Sequence, residues 1–354
     1  MGIRVLDGIE ELIGNTPIIG LHRMFPGYSI YAKLEYYNPT FSVKDRAAFY
    51  MVKKMIERGE IKSGDTIIEA TSGNTGLGLC MASIIFGLHF IATVFDDVSE
   101  DKIKLLQSLG ATVIICPSEL PSNEIGGYVW LAQALAAEYP HIHYINQFSN
   151  PDNPEAHIFS TGPEIWNALN GKIDLFVNTV GTGGTISGVS HFLKKKNPNI
   201  QTIAVEPVGG IYRDFFYGNP IKFKDHLIHS ISDNFISKNF NKELIDDVVQ
   251  VCDSEAFSCC IEMMRTEALC IGTSAGCTIG AIKKLIQEKV ILHQTHVVCT
   301  LADSALKYSD SLLNETFWEE HRFSRPGKLT GDENVYLQKF FQKSGISKEV
   351  QICN

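Results

Sequence analysis

The sequence predicts an α/β protein of two domains, each a mainly parallel, twisted sheet covered by helices. Three observations support this. The 354 residues correspond to about two domains of roughly 150 residues each. Hydrophobic residues make up 44% of the chain and charged residues 20%, which supplies enough apolar surface for sizeable cores. Strand-sized runs of branched apolar residues alternate with helical patterns, and this order is typical of parallel sheets with helices on both faces.

The first alternating block begins after Asp65. Its strand-sized runs are residues 66–68, 90–94 and 111–115. Helical patterns occupy about residues 46–58 and about residues 100–109, and the second has Ser99 as its N-cap and Gly110 just after its end.

A second block follows a pause in the pattern. It predicts strands near residues 174–180, 201–206 and 296–301, and helices near residues 185–196, 254–269 and 276–288. Residues 215–241 are polar, aromatic and weakly periodic, so they predict a long loop that covers part of the molecule. After about Phe317 the chain is charged and aperiodic, apart from one predicted helix at residues 335–341.

Charge and cysteine usage exclude several classes of function. Lysine plus arginine is 31 and aspartate plus glutamate is 40, so the net charge is −9, and nucleic acid and membranes are poor partners. No apolar run is long and uninterrupted enough to predict a membrane span. The nine cysteines form no Cys-x-x-Cys pair, which argues against a metal site or a disulfide framework and favours a reducing cytoplasm.

The sharpest motif lies where a turn leads into the first predicted helix. It reads Asn-Pro-Thr-Phe-Ser-Val-Lys-Asp-Arg over residues 38–46 and places Lys44 in the first turn. A helix N-terminus disfavours an ammonium group, so this position favours the neutral, nucleophilic amine that a Schiff-base lysine needs. On this motif alone, Lys44 could equally be named a solvated surface lysine, which is what most of the 31 basic residues are; the other motifs are needed to favour the catalytic interpretation.

A second motif, Thr-Ser-Gly-Asn-Thr-Gly at residues 71–76, follows a strand and opens a helix. Hydroxyls, an amide and backbone N–H groups converge there at the positive end of a helix, which predicts a seat for a carboxylate. The alternative is a polar loop with two spare glycines.

A glycine-rich loop at residues 180–188 also follows a strand and precedes a helix. It fails the dinucleotide fingerprint because Ile186 stands where glycine is needed, and it lacks the Gly-Lys-Ser/Thr ending of a P-loop. The loop therefore predicts a cradle for a single phosphate, made of backbone donors and the hydroxyls of Thr182 and Thr185.

The last predicted strand runs into Leu-Ala-Asp-Ser at residues 301–304. Ser304 is thus expected at the carboxyl end of the sheet, where open α/β folds bind ligands. A role as a helix N-cap is equally consistent with this position.

Together, one lysine, one carboxylate seat, one phosphate cradle and one hydroxyl match the requirements of pyridoxal phosphate. The ordered motifs at residues 14–17, 42–46, 71–76, 147–148, 181–185 and 303–304 resemble the cysteine synthase and cystathionine β-synthase family. The similarity spans about residues 12–317 and implies a fold-type II pyridoxal-phosphate enzyme with a tryptophan synthase β-like fold. It also implies a smaller, mobile domain at residues 45–152, a larger cofactor-binding domain from residues 1–44 and 153–317, and a C-terminal extension at 318–354.

The resemblance assigns roles to individual residues. Lys44 would hold the cofactor as a Schiff base and then act as general base at Cα, Asn74 would bond the phenolic oxygen, and Ser304 would face the pyridine nitrogen. The phosphate would be held by Gly181, Thr182, Gly183, Gly184 and Thr185. The substrate carboxylate would be bound by Thr71, Ser72, Thr75 and Gln147.

The implied reaction is β-replacement on serine or on an O-activated serine, O-acetylserine or O-phosphoserine, through an aminoacrylate. A hydroxyl at Ser304 cannot keep the pyridine nitrogen protonated, so the ring would be a weaker electron sink and elimination would be favoured over transamination. The products would be cysteine, cystathionine or a related β-substituted alanine. The family also leads us to expect small amino-acid substrates and a homodimer.

The chain departs from the family in one loop. Where relatives usually carry Gly-Ile-Gly, residues 230–233 read Ser-Ile-Ser-Asp. A carboxylate of Asp233 in the pocket would repel sulfide and favour an amine; the alternative is a side chain that points into solvent. Other short sequence segments resemble the synthases that join O-phosphoserine to glutamate through nitrogen. An N-(2-amino-2-carboxyethyl)glutamate synthase-type reaction is therefore an alternative function. A serine or threonine deaminase, which would release the intermediate to water, is the other alternative.

Overall fold

A computed structural model describes residues 5–71, 73–122, 124–228 and 230–326. In this part of the chain the strands form one sheet of six and one of four. The strands are β1 (Ile18–Gly20), β2 (Ser29–Leu34), β3 (Thr66–Ala70), β4 (His89–Phe95), β5 (Thr112–Cys116), β6 (Ile142–Tyr144), β7 (Leu175–Thr179), β8 (Gln201–Pro207), β9 (Asp247–Val251) and β10 (His296–Leu301).

Helices separate most of these strands. The α-helices are α1 (Lys44–Glu57), α2 (Asn74–Phe86), α3 (Glu100–Ser108), α4 (Tyr128–Glu138), α5 (Asp152–Ala156), α6 (Gly162–Ala168), α7 (Gly184–Lys196), α8 (Tyr212–Tyr217), α9 (Asp253–Thr266), α10 (Thr273–Gln287) and α11 (Glu315–Glu320). Short 3-10 turns lie at Ile9–Leu12, Glu35–Tyr37, Lys242–Leu244 and Ala305–Lys307, and a π-helical turn lies at His157–Thr161.

The four-stranded sheet has the order β5-β4-β3-β6, and all its pairings are parallel. Its strands carry branched apolar side chains that are buried under α1 and α2, with Ile67, Leu79 and Phe90 in one core. Burial on both faces explains why these strands read as continuous apolar runs in the sequence.

The six-stranded sheet has the order β1-β2-β10-β7-β8-β9, in which only the β1–β2 pairing of these strands is antiparallel. Two separate cores cover its two faces. One is built on α9 and α10 and contains Phe257 and Ile279, while the other contains Ile186 and Val189 of α7.

The predicted α/β class with mainly parallel sheets is confirmed, and every predicted strand and helix within the described residues has a counterpart. The strands β1, β2, β6 and β9 and the helices α4, α5, α6, α8 and α11 were not predicted. All strands of the four-stranded sheet fall within residues 45–152, but the domain limits themselves stay a prediction.

The chain at the start of the C-terminal extension packs against helix α9. Trp318 is buried, and the ring of Phe317 stacks on Phe257 with centroids 5.4 Å apart. The helix predicted at residues 335–341 lies outside the described residues.

Within the described ranges, no helix is long and apolar enough to cross a bilayer. The eight cysteines of those ranges are free thiols.

Candidate active site

The predicted site residues converge at the carboxyl ends of the strands, where two connected cavities open. An inner cavity and a wider outer cleft share Lys44, Asn74, Thr182, Ser230 and Asp303 in their walls. Parallel strands bring their βα loops to one edge of a sheet, so motifs far apart in the sequence meet there.

Lys44 is the first residue of α1 and lines both cavities. The start of this helix is fastened to the end of β10: Val43 N–H donates to the carbonyl of Ala302 at 2.8 Å, and Ser42 pairs with Asp303 in a β-bridge. Burial lowers the pKa of Lys44, and the carboxylates of Asp303 and Asp233 only partly oppose this. Its ammonium nitrogen has no hydrogen bond or ion pair with any described residue. An amine in this state is suited to nucleophilic attack.

A second lysine, Lys307, which the sequence analysis missed, lies in the wall of the outer cleft. Its Nζ donates to the carbonyl of Thr40 at 2.7 Å and to Oδ1 of Asn74. Burial lowers its pKa too, against the opposing charges of Asp303 and Asp45. Because its donors are engaged, Lys307 is a poorer nucleophile than Lys44.

Asn74 opens α2 and connects this lysine to a buried carboxylate. Its Nδ2 donates to Oδ2 of Asp303 at 2.7 Å, and the hydroxyl of Tyr308 donates to the same oxygen at 2.7 Å. Burial raises the pKa of Asp303, while Lys307, Asn74 and Tyr308 work against that rise. Among the described residues, Oδ1 of Asp303 has no hydrogen-bond partner.

The glycine-rich loop joins β7 to α7 and holds its shape through close backbone contacts. Gly183 has φ +78°, and a Cβ there would lie 2.6 Å from the backbone nitrogen of Phe240. A Cβ on Gly181 would lie 2.5 Å from the carbonyl oxygen of Ser230, and one on Gly184 would meet Oδ1 of Asn153 at 1.9 Å. Backbone atoms therefore block a side chain at Gly181 and Gly183, whereas at Gly184 the side chain of Asn153 would have to move.

Polar contacts hold the two threonines of this loop against the inner cavity. Nδ2 of Asn153 donates to Oγ1 of Thr182 at 3.0 Å, and Oγ1 of Thr185 lies 3.2 Å from Nε2 of His157. Burial lowers the pKa of His157 to about 3, so this imidazole is neutral. The N–H of Gly184 donates to Oγ1 of Thr182 at 3.4 Å. The next N–H groups in the first turn of α7, those of Thr185 and Ile186, have no intrahelical acceptors, which leaves them for an anion.

Thr71, Thr75 and Gln147 line the outer cleft together. The hydroxyl of Thr75 donates to Oε1 of Gln147 at 2.6 Å. Behind them, Oε2 of the fully buried Glu69 accepts from the backbone N–H of Gln147 at 3.2 Å, and burial raises the pKa of Glu69 to about 8. The fourth predicted residue of this group, Ser72, lies outside the described residues.

The loop at residues 230–233 keeps a backbone suited to glycine although it has none. Ser230 has φ +68° and Ser232 has φ +53°, both in the left-handed region. The following residue, Asp233, lines the outer cleft, and burial raises its pKa against the opposing charges of His226 and Lys44. The carboxylate therefore faces the ligand space rather than bulk solvent.

Of the predicted site residues in the described chain, Gly184 is absent from both cavity walls, and so is Ser304. Ser304 caps the 3-10 turn Ala305–Lys307, with Oγ accepting from the N–H of Leu306 at 3.3 Å. This is the N-cap role that the sequence had left open, while the preceding Asp303 lines both cavities.

The donor set fits the cofactor that the sequence resemblance implies. The cavities combine an unpaired amine at Lys44, a phosphate-sized loop at residues 181–185 and an amide donor at Asn74. Within the described residues, no group of three or more histidine, cysteine or acidic side chains could hold a metal ion.

Comparisons with known proteins agree with this geometry. Residues 9–303 match the family described as pyridoxal-phosphate dependent enzyme. A cystathionine beta-synthase of Apis mellifera is 36% identical over 328 residues, which cover 91% of this chain but only 64% of that relative. The O-acetylserine dependent cystathionine beta-synthase of Bacillus subtilis is 36% identical over 313 residues, covering 88% of this chain and 98% of the relative. Among solved structures, O-ureido-L-serine synthase matches with a TM-score of 0.83 and 30% identity over 95% of this chain and all of that one. The chain therefore belongs to the family of pyridoxal-phosphate dependent enzymes.

Proposed function

We propose that this protein catalyses β-replacement on serine or an O-activated serine such as O-acetylserine or O-phosphoserine. The observation that carries the proposal is the unpaired amine of Lys44 between two anion seats. The loop at residues 181–185 lies on the inner side of Lys44, and Thr71, Thr75 and Gln147 line the outer cleft. This order suits a phosphorylated cofactor inside and an amino acid outside.

Several residues would hold the cofactor. Lys44 would bind it covalently, the loop at residues 181–185 would bind its phosphate, and Asn74 would donate to its phenolic oxygen. When bound, pyridoxal phosphate draws electron density from the substrate Cα and so allows loss of the Cα proton and of a group on Cβ. The hydroxyl of Ser304 accepts the N–H of Leu306 and lies outside both cavity walls, so its proposed contact with the ring nitrogen rests on the sequence resemblance alone.

The chain's own residues supply the proton transfer and the substrate orientation. Lys44 would take the proton from Cα, because burial lowers its pKa and so favours the amine with a free electron pair. Thr71, Ser72, Thr75 and Gln147 would bind the substrate carboxylate and hold Cα toward Lys44. We propose that this binding draws residues 45–152 toward the rest of the protein, which would exclude water from the reacting carbon.

The covalent step is tested by borohydride reduction of the cofactor-loaded protein, followed by proteolysis and mass spectrometry. The adduct is expected on Lys44, and Lys44→Ala should form none. A fixed adduct on Lys307, the other lysine in the cleft wall, would show that the two lysines had been assigned the wrong way round. A wild-type protein without any adduct would end the proposal.

The reaction itself is tested by pairing three amino acids with five nucleophiles. Serine, O-acetylserine and O-phosphoserine are each incubated with sulfide, cysteine, homocysteine, glutamate or cyanide, and β-substituted alanines are identified by mass. Serine without a nucleophile should give little pyruvate and ammonia. Rapid release of both would instead support the deaminase alternative.

A second candidate, an amine as the nucleophile, is favoured by the position of Asp233. A carboxylate in the wall of the outer cleft attracts a cationic amine and repels hydrosulfide, so it acts on specificity through charge. Such an enzyme would perform an N-(2-amino-2-carboxyethyl)glutamate synthase-type reaction.

Removal of the negative charge at Asp233 provides the test. Asp233→Asn keeps the shape of the side chain and should shift the ratio of sulfide to amine product toward sulfide. The matched control is Asp214→Asn, on α8 and outside both cavity walls, which should leave the ratio unchanged. An unchanged ratio in Asp233→Asn would remove the support for the amine reaction.

We further propose that the protein acts in the cytoplasm as a homodimer. The free thiols of the described cysteines suit a reducing compartment. Light scattering on the loaded protein tests the dimer directly.

A further inference from the structure

Lys307 is a cation in the wall of the outer cleft, and the proposed β-replacement reaction gives it no role. It ends the 3-10 turn Ala305–Lys307, which follows Asp303 and Ser304 directly. Its Nζ reaches back to Oδ1 of Asn74 and to the carbonyl of Thr40. Holding a lysine in a partly enclosed position costs desolvation free energy, so these contacts call for a functional explanation.

The contacts determine which way the Asn74 amide points. A side-chain amide has two orientations that exchange its oxygen and its NH2 group. An ammonium can only donate and a carboxylate can only accept. With Lys307 on one side and Asp303 on the other, the oxygen must face Lys307 and the NH2 group must face Asp303, as observed.

We propose that Lys307 is a positioning residue that fixes the Asn74 amide so that an N–H remains available to the cofactor. The NH2 group has two protons, and one of them is donated to Asp303. The second is free for an acceptor in the cavities that Asn74 lines. The inference rests on the proposed function, because it assigns that acceptor to the phenolic oxygen of the cofactor.

Lys307 also acts through Asp303. Its charge is the largest of the influences that oppose the burial-driven rise in the pKa of that carboxyl group. Without Lys307, a protonated Asp303 could itself donate to Oδ1 of Asn74. The amide would then turn over and present its oxygen, an acceptor, where the cofactor needs a donor.

The test is the absorption spectrum of the bound cofactor at one fixed pH. The phenolic oxygen has a visible band when ionised and a near-ultraviolet band when protonated, and a donated N–H favours the ionised form. In Lys307→Met, which has similar length but no donor, the visible-to-ultraviolet ratio should fall about threefold or more, the effect of losing one hydrogen bond.

Three comparisons make the result specific. Lys307→Arg keeps a cationic donor and should retain the wild-type ratio. Lys283→Met removes a lysine that pairs with Glu262 at 2.7 Å outside both cavity walls, and it should also leave the ratio unchanged. If Lys307→Met does not fold, Lys307→Leu replaces it, because that shorter apolar side chain also removes both the cation and the donor.

Failure of this inference is distinguishable from failure of the proposed function. A borohydride-fixed adduct on Lys44 in both the wild type and the variant, with an unchanged band ratio, would overturn the role of Lys307 alone. Absence of the adduct in the wild type would overturn the proposed function and the inference together.

Discussion

Two glycines with the same backbone conformation provide a measurement of how tightly the phosphate loop is packed. Gly183 precedes α7 with φ +78°, and Gly59 follows α1 with φ +72°. A Cβ on Gly183 would lie 2.6 Å from the backbone nitrogen of Phe240, whereas a Cβ on Gly59 would have nothing within 4 Å. Alanine at either position costs about 1–2 kcal/mol for the left-handed conformation. Only Gly183→Ala adds an overpacking cost, about 1–3 kcal/mol.

Urea unfolding of the two variants compares these costs directly. Gly183→Ala should lower the free energy of unfolding by about 2–5 kcal/mol and Gly59→Ala by about 1–2 kcal/mol. Gly183→Ala should also lose affinity for pyridoxal phosphate, because the loop must move away from Phe240. Equal destabilisation by the two substitutions would refute the close contact, and unchanged cofactor affinity would refute the phosphate cradle.

Three further substitutions test the buried charges and the strained loop. Burial raises the pKa of Glu69 from 4.5 to about 8. The protonated Glu69 of the folded protein therefore contributes stability that is complete below pH 4.5 and is lost as the pH rises through about 8. In urea titrations, Glu69→Gln should become more stable relative to wild type between pH 5 and 9, by at most about 5 kcal/mol. A constant difference across this range would contradict it. Ser230→Gly should raise the unfolding free energy by about 1 kcal/mol, since it relieves a non-glycine φ of +68°; a loss of stability would show that the hydroxyl makes a contact worth more. Glu164→Gln weakens ion pairs of 2.7 Å to both Arg46 and Lys33, whose side chains are 2% and 1% exposed. It should lower the free energy of unfolding by about 3–5 kcal/mol, measured by calorimetry. A change under about 1 kcal/mol would mean that the remaining partners of the two cations are enough to stabilise them.

The sequence predicted the parallel sheets and the site loops for one physical reason. A strand buried on both faces reads as an apolar run, and the loop after it must lie at the ligand edge of the sheet. The loops at residues 71–76 and 181–185 follow β3 and β7 in this way. The edge strand β1 has only three residues, none of them buried, so its apolar pattern was too short and too weak to stand out.

Residues that support the site were harder to predict because their roles depend on tertiary contacts. Glu69 offered one signal, a carboxylate inside an apolar strand just before the loop at residues 71–76. Lys307 offered another, since it lies three residues after Ser304 at the carboxyl end of the last strand. Neither signal identifies a partner, because Asn74 is more than 200 positions from Lys307 in the sequence and meets it only in the folded chain.

The charges of the cleft explain why the two lysines differ in chemistry. Of the nearby carboxylates, Asp303 has the largest effect on the pKa of both Lys44 and Lys307. A direct ion pair between Asp303 and Lys44 would raise the pKa of Lys44 further. Its Oδ2 is instead occupied by Asn74 and Tyr308, and Lys307 offsets its charge. Lys44 is left enclosed and unpaired, which is the state in which a lysine is neutral and nucleophilic. Loss of Lys307 removes the charge that favours an ionised Asp303, and a protonated Asp303 no longer opposes the burial-driven fall in the pKa of Lys44. Lys307→Met should therefore lower the pKa of Lys44 further in the cofactor-free protein, and reaction of Lys44 with an amine-directed acylating reagent should extend to lower pH; an unchanged or more alkaline profile would refute the link through Asp303.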